Sequence, residues 1–225
     1  MTETDHLNTN EMTIHEVSDG EAPPLRSLNR DWFGNEVDPP IFFSFALEGA
    51  ALVFRSSRQA VALCHPEARS GLFVEQLWKY DVAEFFLRDP VTGHYLEFNL
   101  SPNGAHWACL FDAPRSPLGE LRETGATSCG SSGPEGWQAQ ADLPLGWLKE
   151  HLHFGIATRV NATFILNSPA PQFLTAAWLG GGEPDFHRPD HYLAWSAASA
   201  PPRKAVNRGH APAERSGGHS RTGCG

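Results

Sequence analysis

An indole followed three and six residues later by carboxylates, Trp78, Asp81 and Glu84 within LWKYDVAEFFL, is the residue set in this sequence best suited to holding a sugar. An indole face is apolar and electron-rich and covers the C–H face of a pyranose, while carboxylates accept hydrogen bonds from its hydroxyls. Further on, Glu97 and Asn99 alternate with Leu96, Phe98 and Leu100, giving one polar and one oily strand face. The competing reading of the first segment is structural, with Trp78 capping a core and Asp81 satisfying backbone N–H groups in a turn.

Other chemistries fit less well. Asp81 and Glu84 as the carboxylate pair of a glycoside hydrolase would need Asp81 to lie in a turn, because strand residues three apart face opposite sides. No GxSxG elbow and no recognisable Cys–His spacing is present. His187 and His191, with Asp185 and Asp190 nearby, suggest a transition-metal site, but Pro189 between them opposes the helix that would align them. Gly180, Gly181 and Gly182 are not followed by the Lys-Ser/Thr of a phosphate cradle. This segment is predicted to be a loop closing over one edge of the fold. No metal, cofactor or catalytic residue is expected.

The elements that must position these residues have a period of two. Ile41, Phe43, Phe45 and Leu47 share one strand face, Leu52 and Phe54 continue the pattern, and Val61 with Leu63 read as a short third strand. Residues 81–88 form the next strand, followed by a turn at 89–93. Residues 95–100 and 106–111 read as a hairpin across Ser101-Pro102-Asn103-Gly104. A Gly/Ser-rich loop is expected over 124–134, then strands at 137–141, 154–166 (broken near Asn161) and 172–178. One short helix is predicted over 145–152, opened after Pro144. The fold class is therefore all-β, an antiparallel, jelly-roll-like β-sandwich with one short helix.

The 225 residues suit one such domain, predicted over 25–195. Residues 1–24 carry six acids and no Lys or Arg, and residues 196–225 are Ala/Pro/Gly/Ser-rich with a local charge of +4; both are predicted to be flexible. The net charge of −9 provides no basic footprint for nucleic acid. No apolar run long enough to span a bilayer and no basic-then-apolar leader is present, so the expectation is a cytoplasmic protein without a membrane partner. Cys64 and Cys109 lie among apolar strand residues and are expected to be buried free thiols.

The runs LWxxDVxEFFL, YLEFNLSPNG and HWAC between Leu77 and Phe111, with Arg159-Val160-Asn161, Thr175-Ala176-Ala177-Trp178 and the closing PDFHRP, resemble DOMON-like family-9 carbohydrate-binding modules over roughly 25–193. The resemblance implies a sandwich that holds a terminal sugar between two tryptophans. Trp78 matches the first lid, Glu84 the acid after it and Trp178 the second lid, while Glu97 and Asn99 lie on the strand that presents hydrogen-bonding groups. The family's charged or amide residue just before the second tryptophan is replaced here by Ala176 and Ala177, with Thr175 beyond. The resemblance also implies structural calcium, although no dense Asp/Asn cluster with ligand spacing stands out. Relatives that carry heme use Met and His ligands; Met1 and Met12 both lie in the polar N-terminal segment, which argues against that arrangement. The implied partner is a monosaccharide or oligosaccharide. The alternatives are a structural or protein-binding sandwich that has lost the sugar site, favoured by the lack of a secretion signal or attached catalytic domain, and a small glycan-processing enzyme.

Overall fold

Two stacked sheets bury six phenylalanines between them, and that core sets the architecture. The structure, a computed structural model, describes residues 11–17 and 23–199. Its strands are β1 (Glu11–Val17), β2 (Arg26–Arg30), β3 (Glu36–Glu48), β4 (Ala51–Arg58), β5 (Val82–Arg88), β6 (Tyr95–Leu100), β7 (His106–Ala113), β8 (Ser116–Glu120), β9 (Thr127–Gly133), β10 (Gly136–Pro144), β11 (Arg159–Leu166), β12 (Gln172–Thr175) and β13 (Ala194–Ser199). One sheet runs β13-β1-β3-β4-β10-β9, with β2 also paired to β3; the other runs β12-β11-β5-β6-β7-β8. Pairing is antiparallel except where β1 lies parallel to both β13 and β3. The antiparallel-rich β-sandwich with one helix is therefore the observed fold.

The alternating phenylalanines do what their period predicts. Phe43, Phe45 and Phe54 from the first sheet meet Phe85, Phe98 and Phe164 from the second, with Phe54 and Phe85 centroids 5.1 Å apart and Phe85 stacked on Phe98 at 5.0 Å. Helix α1 (Leu145–Leu152) follows Pro144 as expected, inserts Leu148 and Leu152 into this core, and ends at His153 in the left-handed region. No helix among the described residues is long and apolar enough to cross a membrane.

Several expectations need correction. Residues 11–17, predicted to be flexible, form β1; Met12 and Ile14 are fully buried and the strand is hydrogen-bonded on both sides. Strand β13 likewise carries order through Ser199, into the segment expected to be a tail. The remainder of both predicted flexible ends, 1–10, 18–22 and 200–225, lies outside the described residues. Val61 and Leu63 form no strand and are exposed, whereas the Gly/Ser-rich 127–133 stretch does form one. The break predicted at Asn161 falls earlier, before Arg159, and β12 stops at Thr175 rather than at Trp178. Cys64 and Cys109 are free thiols, the first half-buried and the second buried.

The central strands of the second sheet are buried on both faces. All six residues of β6 are buried, including the polar set Tyr95, Glu97 and Asn99. A separate cluster of Phe86, Tyr95, Trp107, Phe111, Leu77, Phe186 and Tyr192 covers its outer side. The cover comes from the strap 176–193 and from the turn leading into β5.

Candidate functional site

The outer face of the second sheet gathers the polar residues that the sequence singled out, because register places them in two rows. One row crosses Thr163, Glu84, Asn99 and Trp107 on β11, β5, β6 and β7; the next crosses Asn161, Phe86, Glu97 and Cys109. Glu84 and Asn99 are direct cross-strand partners, and Glu97, two residues before Asn99 on β6, is the diagonal neighbour of Glu84.

Glu84 is 2 % exposed and accepts a hydrogen bond from Thr163 Oγ1 at 2.8 Å. Burial, and then the nearby charge of Glu97, hold its carboxyl well above the usual carboxylate range, against the opposing pull of the Thr163 hydroxyl. Burial likewise pushes Glu97 up to about 7, moderated by Asn99 and the charge of Arg115. Asn99 is fully buried; its side chain favours the charged form of the neighbouring Glu97 carboxylate, and its amide makes no other hydrogen bond.

The strap above this floor is pinned at several points. Arg115 bridges to Asp185 at 2.9 Å, Trp32 Nε1 donates to the Gly182 carbonyl, and Arg188 Nη1 donates to the Leu179 carbonyl. Tyr95 Oη and His187 Nδ1 are 2.8 Å apart, and His187 Nε2 stands 3.7 Å from Glu97 Oε2. Burial, then the Arg115 charge, lowers His187 to about 4, so it is neutral near pH 7 and supplies no counter-charge to Glu97. Burial raises Tyr95 to about 12 and Tyr192 well above the usual phenol range.

The two tryptophans stand at different parts of this face. Trp78 lies in a single 3-10 turn, Leu77–Lys79, whose Leu77 is buried while the indole is 40 % exposed. Its ring meets Trp107 edge to face, centroids 5.5 Å apart. Trp178 is 76 % exposed and follows Ala177, whose N–H donates to Asn161 Oδ1 at 2.9 Å. Asn161 also donates to Thr175 Oγ1, so one buried amide ends β12 and launches the strap. Trp78 thus packs against β7, while the residue before Trp178 is tied to β11, three strands away in the same sheet.

Asp81 does not join them. Its carboxylate accepts from the backbone N–H groups of Leu63 and Asn167, tying two loops to the start of β5. Burial raises its acid above the usual range even against those donors. The sugar contact expected of Asp81 gives way to the structural use of the same residue.

Sequence reasoning missed Trp107, Asn161 and Thr163. The hairpin partnership of β6 and β7 contained the signal for Trp107; nothing local marked the other two. His187 points to Tyr95 and Glu97, while His191 lies in the short Pro189–His191 turn, so the two histidines do not converge. The 180–191 segment closes over a sheet face rather than an edge. Among the described residues, no group of three or more His, Cys, Asp or Glu side chains is placed to hold a metal ion. Met12, weighed as a heme ligand, lies in the core.

No family model matches the chain. It is 28 % identical over 138 residues to the rat UPF0462 protein C4orf33 homolog, covering 58 % of this chain and 66 % of that protein. The human UPF0462 protein C4orf33 is 26 % identical over 141 residues, with 58 % and 66 % covered. The chain thus spans just under two thirds of the length of these relatives. Among solved structures, a protein of Bacteroides uniformis assigned to carbohydrate binding superposes with a TM-score of 0.65 at 15 % identity, over 84 % of this chain and 99 % of that one. A family-9 carbohydrate-binding module of Caldicellulosiruptor kristjanssonii in complex with glucose gives 0.55 at 9 % identity, covering 86 % and 99 %. One in complex with cellotriose gives 0.52 at 13 %, covering 90 % and 100 %. At these identities the likeness is one of fold, and the chain has the β-sandwich fold of the family-9 carbohydrate-binding modules.

Proposed function

We propose that this protein is a non-catalytic carbohydrate-binding domain in which Trp78 stacks on a sugar ring, with Trp178 as the second aromatic contact. The observation that carries this reading is the exposed Trp78 indole, standing at the end of the buried polar row Thr163–Glu84–Asn99–Trp107 in a fold shared with sugar-binding modules. In this reading Glu84, Glu97 and Asn99 serve the sugar's hydroxyls from below, reached when the strap yields, and Asp81 holds the loops that place Trp78. Asn99, whose amide makes no hydrogen bond beyond its approach to Glu97, is the group that gains most from a ligand. Tryptophan fluorescence during titration of the full chain with glucose and cello-oligosaccharides tests it. A saturable change that disappears in Trp78→Ala supports the reading, and no change in the wild type refutes it.

A second reading, a partner-binding sandwich without a sugar site, is favoured by one observation: Glu84 and Asn99 are buried beneath the strap. Under that reading the exposed Trp78 and Trp178 are protein contacts.

A further inference from the structure

Two carboxyl groups share the floor of the site, and among the described residues no buried cation balances them. Glu84 and Glu97 lie diagonally across β5 and β6, 2 % and 6 % exposed. The groups around them are Thr163 from β11, Asn99 and Tyr95 from β6, Cys109 from β7, and Asp185, His187 and Tyr192 from the strap, with Arg115 at the rim. Arg115 is the only formal cation in that set; its side chain is 64 % exposed and paired with Asp185. Between the acids, the fully buried Asn99 amide approaches the Glu97 carboxylate and makes no other hydrogen bond. Buried polar groups in native proteins are almost always matched, and a buried acid pair ordinarily finds a cation or a proton.

We infer that the Glu84–Glu97 pair receives the ammonium group of an amino sugar, with the Asn99 amide bonding an adjacent ring substituent, so that the ligand class is a sugar bearing a protonated amine. This specificity rests on the sugar-binding reading of the same site. The ammonium replaces the protons that the buried acids otherwise hold and brings up to three donors, while a neutral hydroxyl supplies one donor and no charge. His187 overlies Glu97, and its displacement admits the amine.

The test is isothermal titration of the full chain at pH 6.0 with glucosamine, galactosamine and mannosamine, each beside its neutral parent sugar, in two buffers of different ionisation heat. At least one amine binds ten-fold or more tightly than its parent, with release of protons as the acids give up theirs to the incoming cation. In Glu97→Gln, with unchanged circular dichroism, the preference falls to three-fold or less. Neutral sugars binding as well as every amine overturns the specificity and leaves the sugar site standing. A preference that persists in Glu97→Gln overturns the assignment to this pair, since general attraction to an acidic protein then accounts for it. Silence toward all six sugars removes both the specificity and the site on which it rests.

Discussion

Trp78 and Trp107 meet edge to face at 66°, one ring 40 % exposed and the other 7 %. The covered ring props the open one: Trp107 is fixed by its cross-strand partner Asn99 and by donation from Nε1 to Glu120 Oε1 at 2.9 Å. Two substitutions of the same type should therefore separate. Trp107→Ala opens a cavity and costs about 3–5 kcal/mol of stability. Trp78→Ala costs about 1 kcal/mol or less and removes sugar binding. Urea unfolding together with ligand titration on both variants checks the contrast, and equal stability losses would contradict it.

The pairing of Glu97 with His187 makes a prediction about pH. Glu97 rises to about 7 on folding, so the folded chain holds a proton that the unfolded chain loses; stability falls as pH rises from the ordinary carboxylate value toward 7. His187 drops to about 4, so the unfolded chain binds a proton that the folded chain refuses; stability rises with pH between about 4 and 6.5. Each effect is worth about 3 kcal/mol at roughly 1.4 kcal/mol per pH unit. The two slopes oppose, so the contribution of this pair to wild-type stability is nearly flat over that interval. Relative to wild type, Glu97→Gln tilts the profile toward a rise with pH and His187→Gln toward a fall, measured by denaturant unfolding at pH 4.5, 5.5 and 6.5; the buried Glu84 acid contributes the same falling slope to all three proteins. Parallel profiles for both variants would contradict the assignment.

Asp81 should behave as a structural acid. Its removal strands the Leu63 and Asn167 N–H groups. Hydrogen bonds to a charged group are worth about 1.5–3 kcal/mol each, so Asp81→Ala costs about 3 kcal/mol or more. Per folded molecule, affinity for sugar falls by a few-fold at most, because Asp81 holds the loops near Trp78 and does not touch the ligand. A large loss of affinity without loss of stability would return Asp81 to the site.

Strand β1 should be indispensable. It lies between β13 and β3, and Ile14 is fully buried. Ile14→Ala costs about 2–5 kcal/mol, and a chain begun at residue 23 exposes the edges of β3 and β13 and aggregates. Size-exclusion chromatography of that truncation checks the outcome; a stable monomer would contradict it.

These particulars show how far sequence alone reaches. The β5 and β6 patterns and the helix after Pro144 were legible because each is set by local period or by a single proline. Strand β1 was not: EMTIHEV is mostly polar, and its partners lie some 30 and 180 residues away. Strand β9 was hidden by its own composition, yet Gly130 is required there because its backbone presses on Gly104 in the β6–β7 turn, leaving no room for a Cβ. Val61 and Leu63 misled because apolar residues also occur in exposed loops. At the site, Trp78, Glu84 and Asn99 could be named from spacing, but their burial could not. The alternation of β6 shows a polar face, and only the tertiary strap shows that this face is covered. Asn161, which turns the chain toward Trp178 through the Ala177 N–H, carries no local mark of that role.

Isothermal titration of the full chain against glucose, cellobiose, xylobiose and the amino sugars, beside Trp78→Ala, tests the central claim most directly. The expected result is a wild-type Kd of ~1–100 μM for at least one sugar, about −8 to −5.5 kcal/mol, lost in the folded variant. Silence across the panel, or binding that survives loss of the indole, would contradict it.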